Sequence, residues 1–358
     1  MAMTRREFGR AALAGVSGTA LLHRTGPLLG AMAAQAQPKP DSSIGGVQIG
    51  VITYSYRSLT DQSAEATLRY VLDSGISAIE LMGDPVERFA GAPQPPALPK
   101  EPDAPTRTIG TGSWAGRECA IPDPNPAKKP PQVLTPAQKA AKADHARQLK
   151  AWRTSVSMDA FKKLRRMYND AGVMIYAWKQ DVRGMSDAEY EYIFNVAQAL
   201  GCTHTTFELR TDPAELKRMG DIGVRTGVYA AYHTHLQGGM TAIDQAFAAS
   251  PGNRANVDFG HWVAGGNKGG TPLQFLEKHH DRIASFHLKD RTTPEHCALN
   301  LPWGSGETPI REILQSVQTH GWKIPASIEV EYDIPKDSDA VREVRKCLEY
   351  CRRALVRD

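Results

Sequence analysis

The residues with the strongest chemical promise stand where short apolar runs end. They are Glu208 in "FELR", His233 and His235 in "YHTH", Asp258 and His261 in "DFGHW", His287 with Lys289, Asp290 and Arg291 in "FHLKDR", and Glu329 with Glu331 in "IEVEY". A buried carboxylate is costly unless it is paired or bound to a metal. Five successive runs each ending in carboxylates or imidazoles therefore point to a shared site rather than to packing. Mixed Asp, Glu and His donors without cysteine suit Mn²⁺, Mg²⁺, Co²⁺ or Zn²⁺ and do not suit Cu(I) or an iron–sulfur cluster. The metal candidates are Glu208, His233, Asp258, His287 and Glu329. Glu329, His233, His261 and Glu208 are candidates for moving a proton. His235, Lys289 and Arg291 are candidates for holding substrate, although Asp290 and Arg291 would equally brace the mouth as an ion pair. Tyr54 in "TYSYR" and Trp178 in "YAWKQ" end earlier runs and offer rings for a sugar face, with packing as the competing use. Glu80 ends another run, as a further site residue or as half of a salt bridge.

These side chains share a site only if the fold brings the run ends to one edge. The strand candidates are "VQIGVITY", "SAIELMG", "VMIYAWK", "CTHTTFEL", "GVYAAYHTH", "RANVDFG", "IASFHLKD" and "PASIEVEYD", and segments of helical period separate them. Helix starts are signalled by Ser186 with Glu189, by Asp212 with Pro213 and Glu215, and by Thr271-Pro272 and Thr308-Pro309. Eight βα units predict an α/β fold, a (β/α)8 TIM barrel, whose strands all deliver their C-terminal ends to one face. Residues 84–150 break the rhythm with a Pro- and Gly-rich insertion after the second strand. A loop of that length is usually functional or disordered. This one suits a lid over the C-terminal mouth, or else a merely decorative insertion or an oligomer contact, which leaves a homo-oligomer open. The glycine turn of "WGSGETPI" offers backbone amides for a phosphate, a weak signal because the motif is not a P-loop.

The chain has 358 residues, 41% hydrophobic and 23% charged, which is ordinary globular composition and enough length for a large core. Its formal charge of +4 is concentrated at the N-terminus. There Arg5, Arg6, Arg10 and Arg24 face only Glu7, so the remainder is near +1 and a nucleic-acid partner has little electrostatic support. Residues 1–36 read as a twin-arginine export signal, with T-R-R-x-F, a short Ala/Gly-rich apolar stretch and an A-x-A end at Ala34-Gln35-Ala36. The apolar part is too short for a spanning helix, so no stable membrane insertion is expected. This reading sends the chain to the periplasm, with 37–46 as a leader and 47–358 as the barrel. The five cysteines have no metal-ligand spacing and read as structural or free; Cys347 and Cys351, four apart on a helix, are badly placed to bridge.

The set "YHTH", "DFGH", "HLKDR", "WGSGETPI" and "IEVEYD" resembles the xylose isomerase-like TIM-barrel family of sugar phosphate isomerases and epimerases, over residues 45–356. The resemblance implies a divalent ion at the mouth, held by Asp258, His287 and Glu329, with His261 reaching substrate. It also implies proton abstraction next to a carbonyl through a metal-stabilised enediolate. The chain departs from the pattern at the fifth strand, where His233 stands in place of a glutamate. That departure draws it towards the inosose dehydratase-like and keto-glycoside lyase-like branches, unless Glu208 supplies the missing carboxylate. The expected substrate is a free or oxidised sugar or a glycoside. A metal-dependent endonuclease is disfavoured by the charge, and a non-catalytic periplasmic sugar-binding protein by the density of ligand-type residues.

Overall fold

The computed structural model describes residues 39–123, 127–181 and 184–356; the export signal read at 1–36 lies outside them. Eight parallel strands form the barrel: β1 (Val47–Ile52), β2 (Ala78–Met82), β3 (Met174–Lys179), β4 (His204–Glu208), β5 (Tyr229–His233), β6 (Asn253–Asp258), β7 (Ile283–Leu288) and β8 (Ala326–Ile328). They are hydrogen-bonded in the order β1-β8-β7-β6-β5-β4-β3-β2, and pairing of β1 with β2 closes the ring. All eight sequence-based strands are present. The leader is more than a linker, because Ser43–Ile44 pairs antiparallel with β1.

The helix starts follow the capping chemistry. Ser186 N donates to the Glu189 carboxylate at 2.9 Å, Asp212 accepts from Ala214 N, and Thr271 and Gln274 form a reciprocal box. The helix after "WGSGETPI" begins at Ile310, so Pro309 is its N-cap residue rather than its first helical one. Around the outside, Phe194, Phe207, Tyr232, Phe259 and Phe286 fill the layer between strands and helices.

Trp178 belongs to this outer layer, which corrects its reading as a substrate platform. Ile79 pairs with Ile175 and Glu80 with Ala177, so Tyr176 is an extra residue in β3. The bulge reverses the alternation of faces. Glu80 and Ala177 point inward, and Trp178 is fully buried with its ring edge-on to Tyr192 at 6.4 Å.

The insertion carries structure of its own. Thr108–Trp114 and Arg117–Pro122 form an antiparallel hairpin, and Pro136–Arg153 is an exposed helix whose final residue donates to Glu87 and Glu189. A disulfide joins Cys119 of the hairpin to Cys297 in the loop after β7, across 178 residues of sequence. The cysteine reading missed this pairing, because no spacing signals a bond between segments so far apart; Cys202, Cys347 and Cys351 are free and buried. Among the described residues no helix is long and apolar enough to cross a membrane.

Candidate active site

Register assembles the site before any side chain is considered. Asp258 pairs with His287 across β6 and β7, Glu208 with His233 across β4 and β5, and Ile52 with Glu80 across β1 and β2. Ligand atoms of His233, Asp258, His287 and Glu329 lie within 4.8 Å of one another, and all four residues are buried. Donors about 2.1 Å from one ion stand roughly 3–4 Å apart, so the set suits one divalent cation. Asp258 itself supplies a stronger sign. Its Oδ1 accepts from His261 N at 2.6 Å, while Oδ2 has no hydrogen-bond partner although the residue is fully buried. Lys289 Nζ stands 3.2 Å from that oxygen as an ion pair. Burial still pushes the Asp258 carboxyl up against the pull of Lys289, as for a carboxylate short of partners.

The ionic order around the set is dense. His287 lies between two carboxylates, with Nδ1 2.6 Å from Glu329 and Nε2 2.8 Å from Glu80. Burial opposes its charge, but Glu80 and Glu329 prevail and push it up to about 10. Lys289 Nζ reaches Glu331 at 2.6 Å, His261 Nε2 at 2.9 Å and Glu329 at 3.3 Å. Burial alone would raise Glu329, yet Lys289 and His287 hold its carboxyl well below the usual range. His261, with Arg291 2.7 Å from Nδ1, is kept neutral by burial and by these two cations.

The remaining candidates fall into two groups. Glu208 is half-exposed on the rim, its oxygens on Lys179 and His235 at 2.8 Å each, which leaves it outside the convergent set. His235 shares that rim and presents its ring 4.7 Å from His261. Beside them opens a cavity of about 780 Å³, lined by Tyr54, Arg57, Gln180, Lys179, Glu208 and His235 among others. Tyr54 thus stands on the cavity wall, whereas Trp178 is buried in the outer layer. Asp290 does not pair with Arg291. Its carboxylate accepts from the backbone N–H groups of Gly304, Ser305, Gly306 and Thr308, so the amides of "WGSGETPI" are occupied and unavailable to a phosphate.

Sequence reasoning missed Asn256 and left Glu80 undecided. Asn256 stands two residues before Asp258, which in a strand places both on one face, and that period was the readable signal. Below the mouth the barrel interior continues polar, with His204 Nε2 2.8 Å from Ser285 Oγ. Burial pushes His204 down to about 4, against a usual value near 6.5. Between those values the unfolded chain binds a proton that the folded chain refuses, so this stabilisation is complete above pH 6.5 and is lost as pH falls towards 4. The loss is about 3 kcal/mol. In His204→Gln, the decline in unfolding free energy between pH 7 and pH 4.5 is expected to be about 2–3 kcal/mol smaller than in the wild type. Denaturant titrations at the two pH values measure it, and equal declines would remove His204 from the account.

Residues 189–351 match the family model described as xylose isomerase-like TIM barrel. The match takes in β4 to β8 of the (β/α)8 barrel, somewhat less than half of the chain. No curated protein matches it in sequence. In fold it is similar to a sugar phosphate isomerase/epimerase from Parabacteroides distasonis ATCC 8503, at 15% identity and a TM-score of 0.54 over 88% of this chain and 98% of that one. The probable 3-DHS dehydratase AsbF of Bacillus anthracis aligns at 12% identity and a TM-score of 0.52, over 85% and 98%. The IOLI protein, whose structure contains a zinc atom, aligns at 11% and 0.51, over 86% and 98%. At such identities the likeness concerns the barrel fold alone.

Proposed function

We propose that this barrel belongs with the xylose isomerase-like enzymes and is a divalent-metal-dependent sugar enzyme that removes a proton from a carbon next to a carbonyl. The carrying observation is Asp258 Oδ2, a buried carboxylate oxygen that has only the ion pair to Lys289 and no formed hydrogen bond, inside a convergent set of two imidazoles and two carboxylates. His233, Asp258, His287 and Glu329 would hold the ion, which supplies a Lewis acid for the substrate carbonyl. Mn²⁺, Mg²⁺, Co²⁺ and Zn²⁺ all suit the donors, and the zinc in the IOLI structure makes Zn²⁺ the first to try.

The chain's own groups divide the remaining work. Glu329 is the carboxylate placed to take the proton, kept ionised by Lys289 and His287. Lys289, buried and cationic, faces the same space and would hold negative charge developing on a substrate oxygen. His235, on the cavity wall with its ring 4.7 Å from that of His261, would bind hydroxyls there. A cavity of this size accommodates a mono- or disaccharide.

A second reading, a keto-sugar or 3-keto-glycoside lyase, is favoured by His233. Its Nδ1 donates to Asn256 at 2.9 Å, and Glu208 is committed to Lys179 and His235. Neither position therefore offers a free carboxylate to pair with Glu329 in a symmetrical two-carboxylate epimerisation, whereas isomerisation and expulsion of a β-oxygen each need only one. Export to the periplasm is part of the proposal; the T-R-R-x-F motif supports it, and the Cys119–Cys297 bond suits an oxidising compartment.

Metal-loaded protein incubated in D₂O with ketoses, aldoses and 3-keto-glycosides is expected to place deuterium on the carbon next to the carbonyl of at least one. Loss of the β-substituent would select the lyase. Protein that binds no divalent ion, or that exchanges no substrate proton with or without added metal, would overturn the enzyme and leave a sugar-binding role.

A further inference from the structure

Behind the four converging residues lies a carboxylate that touches two of them, directly or through one intermediary. Glu80 is fully buried, and its hydrogen bonds run in one sense because an ionised carboxylate only accepts. Oε1 accepts from Thr206 Oγ1 at 2.7 Å; Oε2 accepts from His287 Nε2 at 2.8 Å and from Asn256 Nδ2 at 3.2 Å. The first of the Oε2 contacts keeps a proton on Nε2 of His287, so Nδ1, beside Glu329, is the nitrogen whose proton an ion would replace. The second fixes the orientation of the Asn256 amide. With Nδ2 turned to Glu80 and to Ser285 Oγ at 2.7 Å, Oδ1 faces His233 Nδ1 at 2.9 Å. An amide oxygen only accepts, so His233 must carry its proton on Nδ1, and its Nε2 is left unprotonated.

We infer that Glu80 is a positioning residue that sets which nitrogen of both histidines is offered to the ion: His287 by direct contact, and His233 through Asn256. The inference rests on the metal reading proposed above and assigns to that site a control on its readiness to bind. The cost of carrying a charged carboxylate into the barrel interior fits this role. Hydrogen bonds from behind a ligating histidine fix its tautomer and orientation, and losing them typically weakens metal binding 10–100-fold.

The test uses the full chain with Zn²⁺, followed by competition with a chromophoric chelator, and with Co²⁺, followed by its visible absorption. In Glu80→Gln, Zn²⁺ affinity is expected to fall about 10–100-fold, and the Co²⁺ bands to change in position or intensity as ligand orientation changes. Glu80→Asp, which restores a carboxylate, should recover part of both. Asn256→Ser, which severs only the His233 arm, should give a smaller loss of affinity and keeps the test alive if the Glu80 variants fold poorly. Folded Glu80→Gln or Asn256→Ser protein with wild-type affinity and an unchanged Co²⁺ spectrum overturns the inference while the metal reading stands. Wild-type protein that holds neither ion overturns both.

Discussion

Glu329→Gln is expected to lower substrate-dependent deuterium exchange by about 10²–10⁴-fold and to reduce the metal held per chain. The substitution keeps the size of the side chain and one hydrogen-bonding oxygen, so the change is chiefly in charge and basicity. Glu329 is 5% exposed, with His287 at 2.6 Å and Lys289 at 3.3 Å. Both cations retain other partners after the change, His287 on Glu80 and Lys289 on Asp258 and Glu331, so the barrel should still fold. Glu208→Gln provides the contrast. Its carboxylate is half-exposed and sits on Lys179 and His235, so its loss should act mainly on KM through the cavity wall and leave metal content near the wild-type value. Metal analysis and exchange rates on both variants separate the two glutamates. A Glu329→Gln protein within tenfold of wild-type exchange, or a Glu208→Gln protein that loses its metal, would reverse the roles assigned to them.

Reduction of Cys119–Cys297, or the paired Cys119→Ser and Cys297→Ser substitutions, is expected to remove about 2–5 kcal/mol of stability. Cross-linking residues 178 apart withdraws much freedom from the unfolded chain, which places the effect at the upper end of that range. The folded state loses an anchor as well. Cys297 follows the turn Pro294–His296, where His296 meets Trp114 of the hairpin with ring centroids 5.1 Å apart, and Ala298 O accepts from Arg291 at 2.6 Å. The bond therefore fastens the insertion from β2 to the loop that seats Arg291 against His261. Thermal unfolding with and without reductant measures the loss, and protease sensitivity of residues 108–122 reports whether the hairpin comes free. Equal unfolding midpoints and equal cleavage would show that the bond contributes nothing.

The eight strands were legible because each is a short apolar run bounded by turn and cap residues, and parallel strands buried on both sides read that way. The run ends were legible for the same reason, since Asp258, His287 and Glu329 interrupt hydrophobic sequence with charge. Three features were not. Trp178 required the bulge at Tyr176, and nothing in "VMIYAWK" marks an extra residue in pairing with a neighbouring strand. The commitment of Glu208 to the rim depends on Lys179 and His235, which only the closed barrel sets beside it. The control exerted by Glu80 depends on contacts 176 and 207 residues away, to Asn256 and His287. Types and periods announce that a group is unusual; partners at that separation decide what it does. As for the insertion, only Asp84, Pro85 and Arg88 of 84–150 line the cavity, so its hairpin stands apart from the cavity wall.

The same disulfide bears on how the molecule comes to exist. One of its sulfurs belongs to a segment between β2 and β3, the other to a loop between β7 and β8, and five strands are laid down between them. The folded barrel sets these two sulfurs side by side, while Cys202, Cys347 and Cys351 are buried within it. Oxidation of the finished barrel thus has a single pair to join, whereas oxidation of a denatured chain chooses among five. In the folded chain the geometry of the barrel, and not the order of the cysteines along the sequence, singles out this pair.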